Sequence, residues 1–100
     1  MLVAIDFGIS NTDLAVLDKD NVSFYSAPSQ STEINDETIK NLFIKHGIDI
    51  SYVKIIGVTG GKSSDLGDCL EDITIVKINE IEAIGLGAKK YMALMMIPHL

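Results

Sequence analysis

The sequence predicts a single α/β domain on a mixed five-stranded sheet, three antiparallel strands followed by two parallel ones, with helices packed on it. Three observations carry this. Residues 2–26 hold three short runs rich in β-branched and aromatic side chains, separated only by small polar turns. Two more strand-length apolar runs follow at 52–58 and 72–78. Other segments repeat apolar residues at three- and four-residue steps, the period of an amphipathic helix.

Residues 2–5 and 14–17 are the arms of a hairpin, and 22–26 follow a polar Lys19-Asp20-Asn21 turn as the third strand. Pro28 and its small polar neighbours make a loop. A helix is expected from Asn35 or Asp36, either of which can cap it, with Asp36 and Glu37 near the positive end of the dipole. Ile39, Leu42 and Phe43 form its apolar face, His46 lies in its last turn, where a protonated ring complements the dipole, and Gly47 stops it. The 52–58 run alternates little, as expected of a strand covered on both faces. Residues 63–70 read as a short helix and 72–78 as the fifth strand. A second long helix opens at Asn79-Glu80-Ile81-Glu82, keeps Ile81, Ile84, Ala88 and Met95 on one face, and ends at Pro98. Gly85 and Gly87 inside it each cost about 1 kcal/mol relative to alanine, so this helix is expected to lie close to another backbone or a ligand.

Composition narrows the function. With 47% hydrophobic and 22% charged residues in 100, the chain is one globular domain, 1–100. The net charge of −6, with Lys and Arg scattered, gives no electrostatic footprint for nucleic acid or an anionic membrane surface. No run reaches the roughly 18 apolar residues of a membrane span, and the start lacks the basic region of a signal peptide, so a cytoplasmic protein is expected. Cys69 stands alone, which excludes an internal disulfide, and it reads as a small buried or half-buried residue. His46 has no second His or Cys at ligand spacing and is not read as a metal ligand. The methionines 92, 95 and 96 read as core filler, while the apolar end at 91–97, if the natural chain stops at Leu100, is expected to mark an interface or a missing partner.

The chemistry concentrates in the first hairpin. Asp6 closes a strand and can hold magnesium or its water, and Gly8 with the hydroxyls of Ser10 and Thr12 offers a loop able to face a phosphate. The same residues also fill ordinary tight turns. A second glycine-rich loop, Thr59-Gly60-Gly61-Lys62-Ser63, follows the 52–58 run. It is not a Walker A loop, because the glycine required five residues before Gly61 is Ile56 here. It does lie at the carboxyl end of an expected parallel strand, the usual ligand side of such sheets.

Asp6-Phe7-Gly8-Ile9-Ser10-Asn11-Thr12 resembles the first phosphate motif of the sugar kinase, actin and heat-shock chaperone superfamily, written Asp-x-Gly-x-Thr/Ser-x-Thr, although Phe7 and Ile9 stand where many relatives carry smaller residues. The order of elements resembles that superfamily's ribonuclease H-like lobe. Thr59-Gly60-Gly61, followed by Asn79-Glu80-Ile81-Glu82-Ala83-Ile84-Gly85-Leu86-Gly87-Ala88, resembles the N-terminal half of type II, eukaryotic-like pantothenate kinases. That resemblance implies ATP-dependent phosphorylation of pantothenate, a step of coenzyme A biosynthesis. It places Asp6, Gly8, Ser10, Asn11 and Thr12 at ATP, Mg2+ at Asp6, the pantothenate-like alcohol at Thr59, Gly60 and Gly61, and the catalytic base at Glu80. It also implies that a C-terminal lobe or a partner subunit, a homodimer included, supplies the rest of the site. Two alternatives stand beside it. The ATPases that activate 2-hydroxyacyl-CoA dehydratases share the phosphate motif but bridge a dimer with an iron–sulfur cluster, for which one cysteine is too few. The other is a non-catalytic lobe serving as an assembly module.

Overall fold

Strand alternation decides what each face of this sheet carries. The computed structural model describes residues 1–29, 33–61 and 63–77. β1 (Leu2–Phe7) turns back into β2 (Asn11–Asp18), with Leu2 opposite Leu17, Ala4 opposite Ala15 and Phe7 opposite Thr12. The paired region therefore runs beyond the 2–5 and 14–17 arms expected, leaving Gly8, Ile9 and Ser10 as the turn. β3 (Asn21–Pro28) continues the antiparallel set through a tight turn in which Lys19 takes φ 57°.

A parallel neighbour needs a crossover, and α1 (Asp36–Lys45) lies in it. Asn35 caps this helix: its side chain accepts from the Thr38 N–H at 3.1 Å, while its own N–H donates to Thr38 Oγ1 at 3.1 Å. Gly47, at φ 70°, follows the C-terminal end. Ile39 and Phe43 are fully buried among Val3, Ile5, Leu14 and Ile56, which places α1 on the face of β1 opposite Asp6. His46 caps the C-terminus with its ring 5.0 Å from that of Tyr25. Its buried Nε2 has no hydrogen-bond partner among the described residues.

β4 (Ile55–Gly60) then pairs parallel with β1, from Leu2 beside Ile55 to Phe7 beside Gly60. β6 (Ile73–Lys77) pairs parallel with β4. The short β5 (Cys69–Leu70) runs antiparallel at the edge, giving the order β3-β2-β1-β4-β6-β5. The expected fold class holds, with three corrections. The strand read at 52–58 begins later, because Asp49 caps a 3₁₀ turn over Ile50–Tyr52; its carboxylate accepts from the Ser51 hydroxyl at 2.7 Å and from the Ser51 N–H at 3.0 Å. These bonds hold the Asp49 carboxyl below its ordinary value. The helix read at 63–70 is one 3₁₀ turn, Ser63–Asp65, followed by β5, which makes six strands rather than five. A hairpin turn with Glu71 at φ 54° sends Leu70 and Ile73 into the core and leaves Cys69 exposed, not buried or half-buried as expected. The second long helix, with its methionines, lies outside the described residues.

Candidate functional site at the carboxyl edge of β1 and β4

Register arranges the face opposite α1 in lateral rows. Val22, Leu17, Leu2 and Ile55 share one row, and Phe24, Ala15, Ala4 and Gly57 the next. The third row changes character: it holds Ser26, Asp13, Asp6 and Thr59. Every side chain in it carries oxygen, and the row lies at the carboxyl end of the two parallel strands. Asp6 and Asp13 are half-buried. Thr59 is only 1% exposed, and its Oγ1 has no hydrogen-bond partner among the described residues.

Just beyond this row the chain turns at Gly8. A Cβ there would stand 2.6 Å from the Asn11 carbonyl oxygen, so the turn closes only around glycine. The turn is tied to the end of β3 by Ser29, whose N–H donates to the Ser10 carbonyl at 2.9 Å and whose hydroxyl donates to the Gly8 carbonyl at 2.7 Å. That hydroxyl has one proton, so the 3.1 Å contact with Thr12 Oγ1 is donated by Thr12. The expected phosphate residues thus part company. Ser10 and Asn11 are exposed at the tip beside the fully exposed Ile9, whereas the buried Thr12 hydroxyl is engaged inside the turn on the α1 face.

Thr59-Gly60-Gly61 ends β4 beside the same turn. Gly60 has φ 105°, and a Cβ on it would stand 2.3 Å from the Phe7 carbonyl oxygen. The Gly61 N–H donates to that oxygen at 3.3 Å, and the Ser63 hydroxyl donates to the Gly60 carbonyl at 2.9 Å. The two glycine turns, half the chain apart in sequence, are clamped side by side. A groove of about 670 Å³ opens along the α1 side of the first turn, reached by Gly8, Ile9, Ser29, Asn35, Glu37 and Lys45.

The donor set suits a magnesium nucleotide. Among the described residues no three His, Cys, Asp or Glu side chains gather as a metal cage. Magnesium bound with phosphates needs only one or two carboxylates, with water and phosphate oxygens completing the shell. Asp6 and Asp13 can supply those carboxylates, and Gly8 and Gly60 let the backbone of the two turns pack closely beside them. Glu80 lies outside the described residues. Two residues escaped the sequence reading. Asp13 could have been found as the carboxylate leading the second arm of the hairpin, placed opposite Asp6 once the hairpin is given its register. Ser29 carries no local signal, since its partners lie about twenty residues away.

No helix among the described residues is long and apolar enough to cross a membrane. No protein-family model matches the chain. No curated protein matches it. Among solved structures it is similar to YeaZ from Pseudomonas aeruginosa, with a TM-score of 0.52 and 11% identity over 83% of this chain and 46% of that one. The chain therefore spans about half the length of that structure. A likeness at such identity speaks for the fold alone, and together with the sheet order it is consistent with a ribonuclease H-like lobe.

Proposed function

We propose that this chain is the phosphate-holding lobe of an ATP-dependent phosphotransferase similar to type II pantothenate kinases. One observation carries the reading: the Gly8 turn and the Thr59-Gly60-Gly61 turn converge on the carboxyl edge of β1 and β4, on either side of Asp6. Neither turn alone distinguishes a nucleotide site from ordinary loop geometry. Their meeting beside a half-buried aspartate supports a site for phosphoryl transfer, a reaction that is mostly positioning and charge stabilisation.

In this reading the exposed backbone of Gly8 and Ile9 and the side chains of Ser10 and Asn11 bind the phosphates, while Asp6 holds the magnesium ion. Thr12 and Ser29 keep the turn in shape rather than touching the nucleotide. The magnesium nucleotide, when bound, supplies an electrophilic phosphoryl group with its charge partly neutralised. Thr59, Gly60 and Gly61 orient the acceptor alcohol, and Glu80 takes its hydroxyl proton. The remaining lobe or partner closes over the nucleotide and excludes water.

The test is pantothenate-dependent ADP formation by the full-length protein, with Glu80→Gln beside it. The variant is expected to bind ATP nearly as before and to transfer at least about a hundredfold more slowly, the contribution typical of a general base. Unchanged turnover would remove Glu80 from the reaction. ADP formation with a different alcohol and not with pantothenate would keep the kinase and discard this acceptor. Asp6→Asn is expected to weaken the dependence on magnesium, and a normal metal response would reduce the first hairpin to a plain turn.

A further inference from the structure

One long edge of the sheet is bare. β3 ends the order β3-β2-β1-β4-β6-β5, and no strand among the described residues pairs on its outer side. The opposite edge, β5, is two residues long, whereas β3 runs unbroken from Asn21 to Pro28 with every residue matched in β2. Natural sheets blunt such an edge with lysine, proline, a bulge or brevity. β3 has no charged residue and no bulge, and its one proline is its last residue.

Alternation fixes which backbone groups face outward. The Ser29 N–H donates inward, to the Ser10 carbonyl, at 2.9 Å. Stepping back along the ladder from there, Ala27, Tyr25, Ser23 and Asn21 bond to β2, while Ser26, Phe24 and Val22 aim N–H and C=O away from it. The outward set is centred on Phe24. It is bounded on one side by the turn at 19–20 and on the other by Pro28, which has no N–H to offer. Phe24 is also the one large apolar side chain exposed on β3, at 47%.

We propose that β3 pairs antiparallel with β3 of a second copy of this chain, with Phe24 opposite its own counterpart on a two-fold axis. In that register Val22 lies opposite the partner's Ser26, and every outward N–H and carbonyl from Val22 to Ser26 finds a partner. A two-fold contact must be self-complementary, and an outward set centred on one residue meets that condition. The two rings fall on one face with Cβ atoms about 5 Å apart, a cross-strand aromatic pair. Charge selects the same strand. Two copies of a chain with net charge −6 repel each other, and an uncharged strand is where their backbones can approach. Nothing in the contact depends on nucleotide binding.

The experiment is sedimentation equilibrium of the full-length protein from about 10 μM to 1 mM, the range suited to a small interface, with amide hydrogen exchange followed over the same range. Wild type is expected to pass from monomer to dimer. The amides of Val22, Phe24 and Ser26 should exchange more slowly as the dimer fills, while those of Ser23, Tyr25 and Ala27 stay protected throughout. Phe24→Glu sets two carboxylates opposite each other and should weaken association at least about tenfold. Phe24→Pro removes an outward N–H that the β2–β3 ladder does not use, and should weaken association as much while leaving the circular dichroism of the monomer unchanged. A monomer at every concentration overturns the proposal and leaves the edge to a strand of a different protein or to none. A dimer whose strength neither variant changes overturns it as well, since another surface then holds the copies together. Slow exchange at Val22, Phe24 and Ser26 in a monomer also overturns it, because another part of this chain then covers the edge.

Discussion

Replacing Gly60 with alanine tests the clamp between β1 and β4. The added Cβ would lie 2.3 Å from the Phe7 carbonyl oxygen, 2.7 Å from its carbonyl carbon and 2.8 Å from its nitrogen, all backbone atoms that no rotamer change can move aside. Holding a non-glycine residue in a sparsely populated backbone region costs about 1–3 kcal/mol. Forcing an extra carbon into a closed site costs about 1–3 kcal/mol more. The total, about 2–6 kcal/mol, is a large share of the 5–15 kcal/mol typical of a folded domain. Urea unfolding followed by circular dichroism should show the midpoint falling by at least about 1 M, taking a slope of 1–2 kcal/mol per M. Gly61→Ala is the internal control, because a Cβ there meets nothing within 4 Å. It should change stability by no more than about 0.5 kcal/mol. Equal losses in the two variants, or a loss below about 1 kcal/mol in Gly60→Ala, would refute the reasoning.

Three further outcomes are expected. Ser29→Ala removes the hydroxyl that serves both the Gly8 carbonyl and Thr12, and should cost about 1–2 kcal/mol in urea unfolding while weakening nucleotide binding through a looser turn. His46→Phe keeps the ring beside Tyr25 and deletes the unpartnered Nε2, so the melting temperature should rise by an amount corresponding to about 1 kcal/mol. The third concerns acid. The Ser51 bonds lower the Asp49 pKa in the folded chain, so their stabilisation is present above the ordinary carboxylate value and is lost as pH falls through the depressed one. The stability difference between wild type and Asp49→Ala should therefore close in that acid window and stay constant near neutrality.

What the sequence made legible follows from how local each signal is. The hairpin, the Asn35 cap and the Gly47 stop are written in neighbouring residues, and each stands where pattern and turn chemistry put it. The 63–70 segment misled because Leu66 and Leu70 are four apart, a helical step, although Leu66 lies in the bend after the 3₁₀ turn and Leu70 in β5. What decides between the two is the Glu71 turn, a left-handed residue that is not glycine and so gives no compositional warning. At the site, Asp6, Gly8 and Gly60 were readable as turn and strand-end residues. That they meet was not, because the β1–β4 register is a long-range fact. Thr12 was assigned by motif position, and only the placement of Ser29 shows where its hydroxyl points.

The parallel pairing of β1 with β4 also has a consequence for the order of folding events. The β1–β2–β3 meander closes through short loops, whereas Phe7 and Gly60 meet only after half the chain has been gathered in by the crossover. Contacts across such separations are slow to form, and local ones form first. The polar row and both glycine turns are complete only when that last seam is zipped. A Gly60→Ala penalty should then appear chiefly as faster unfolding, with the refolding rate little changed. The edge of the molecule that would do the chemistry is, on this account, the last part to assemble and the first to come apart.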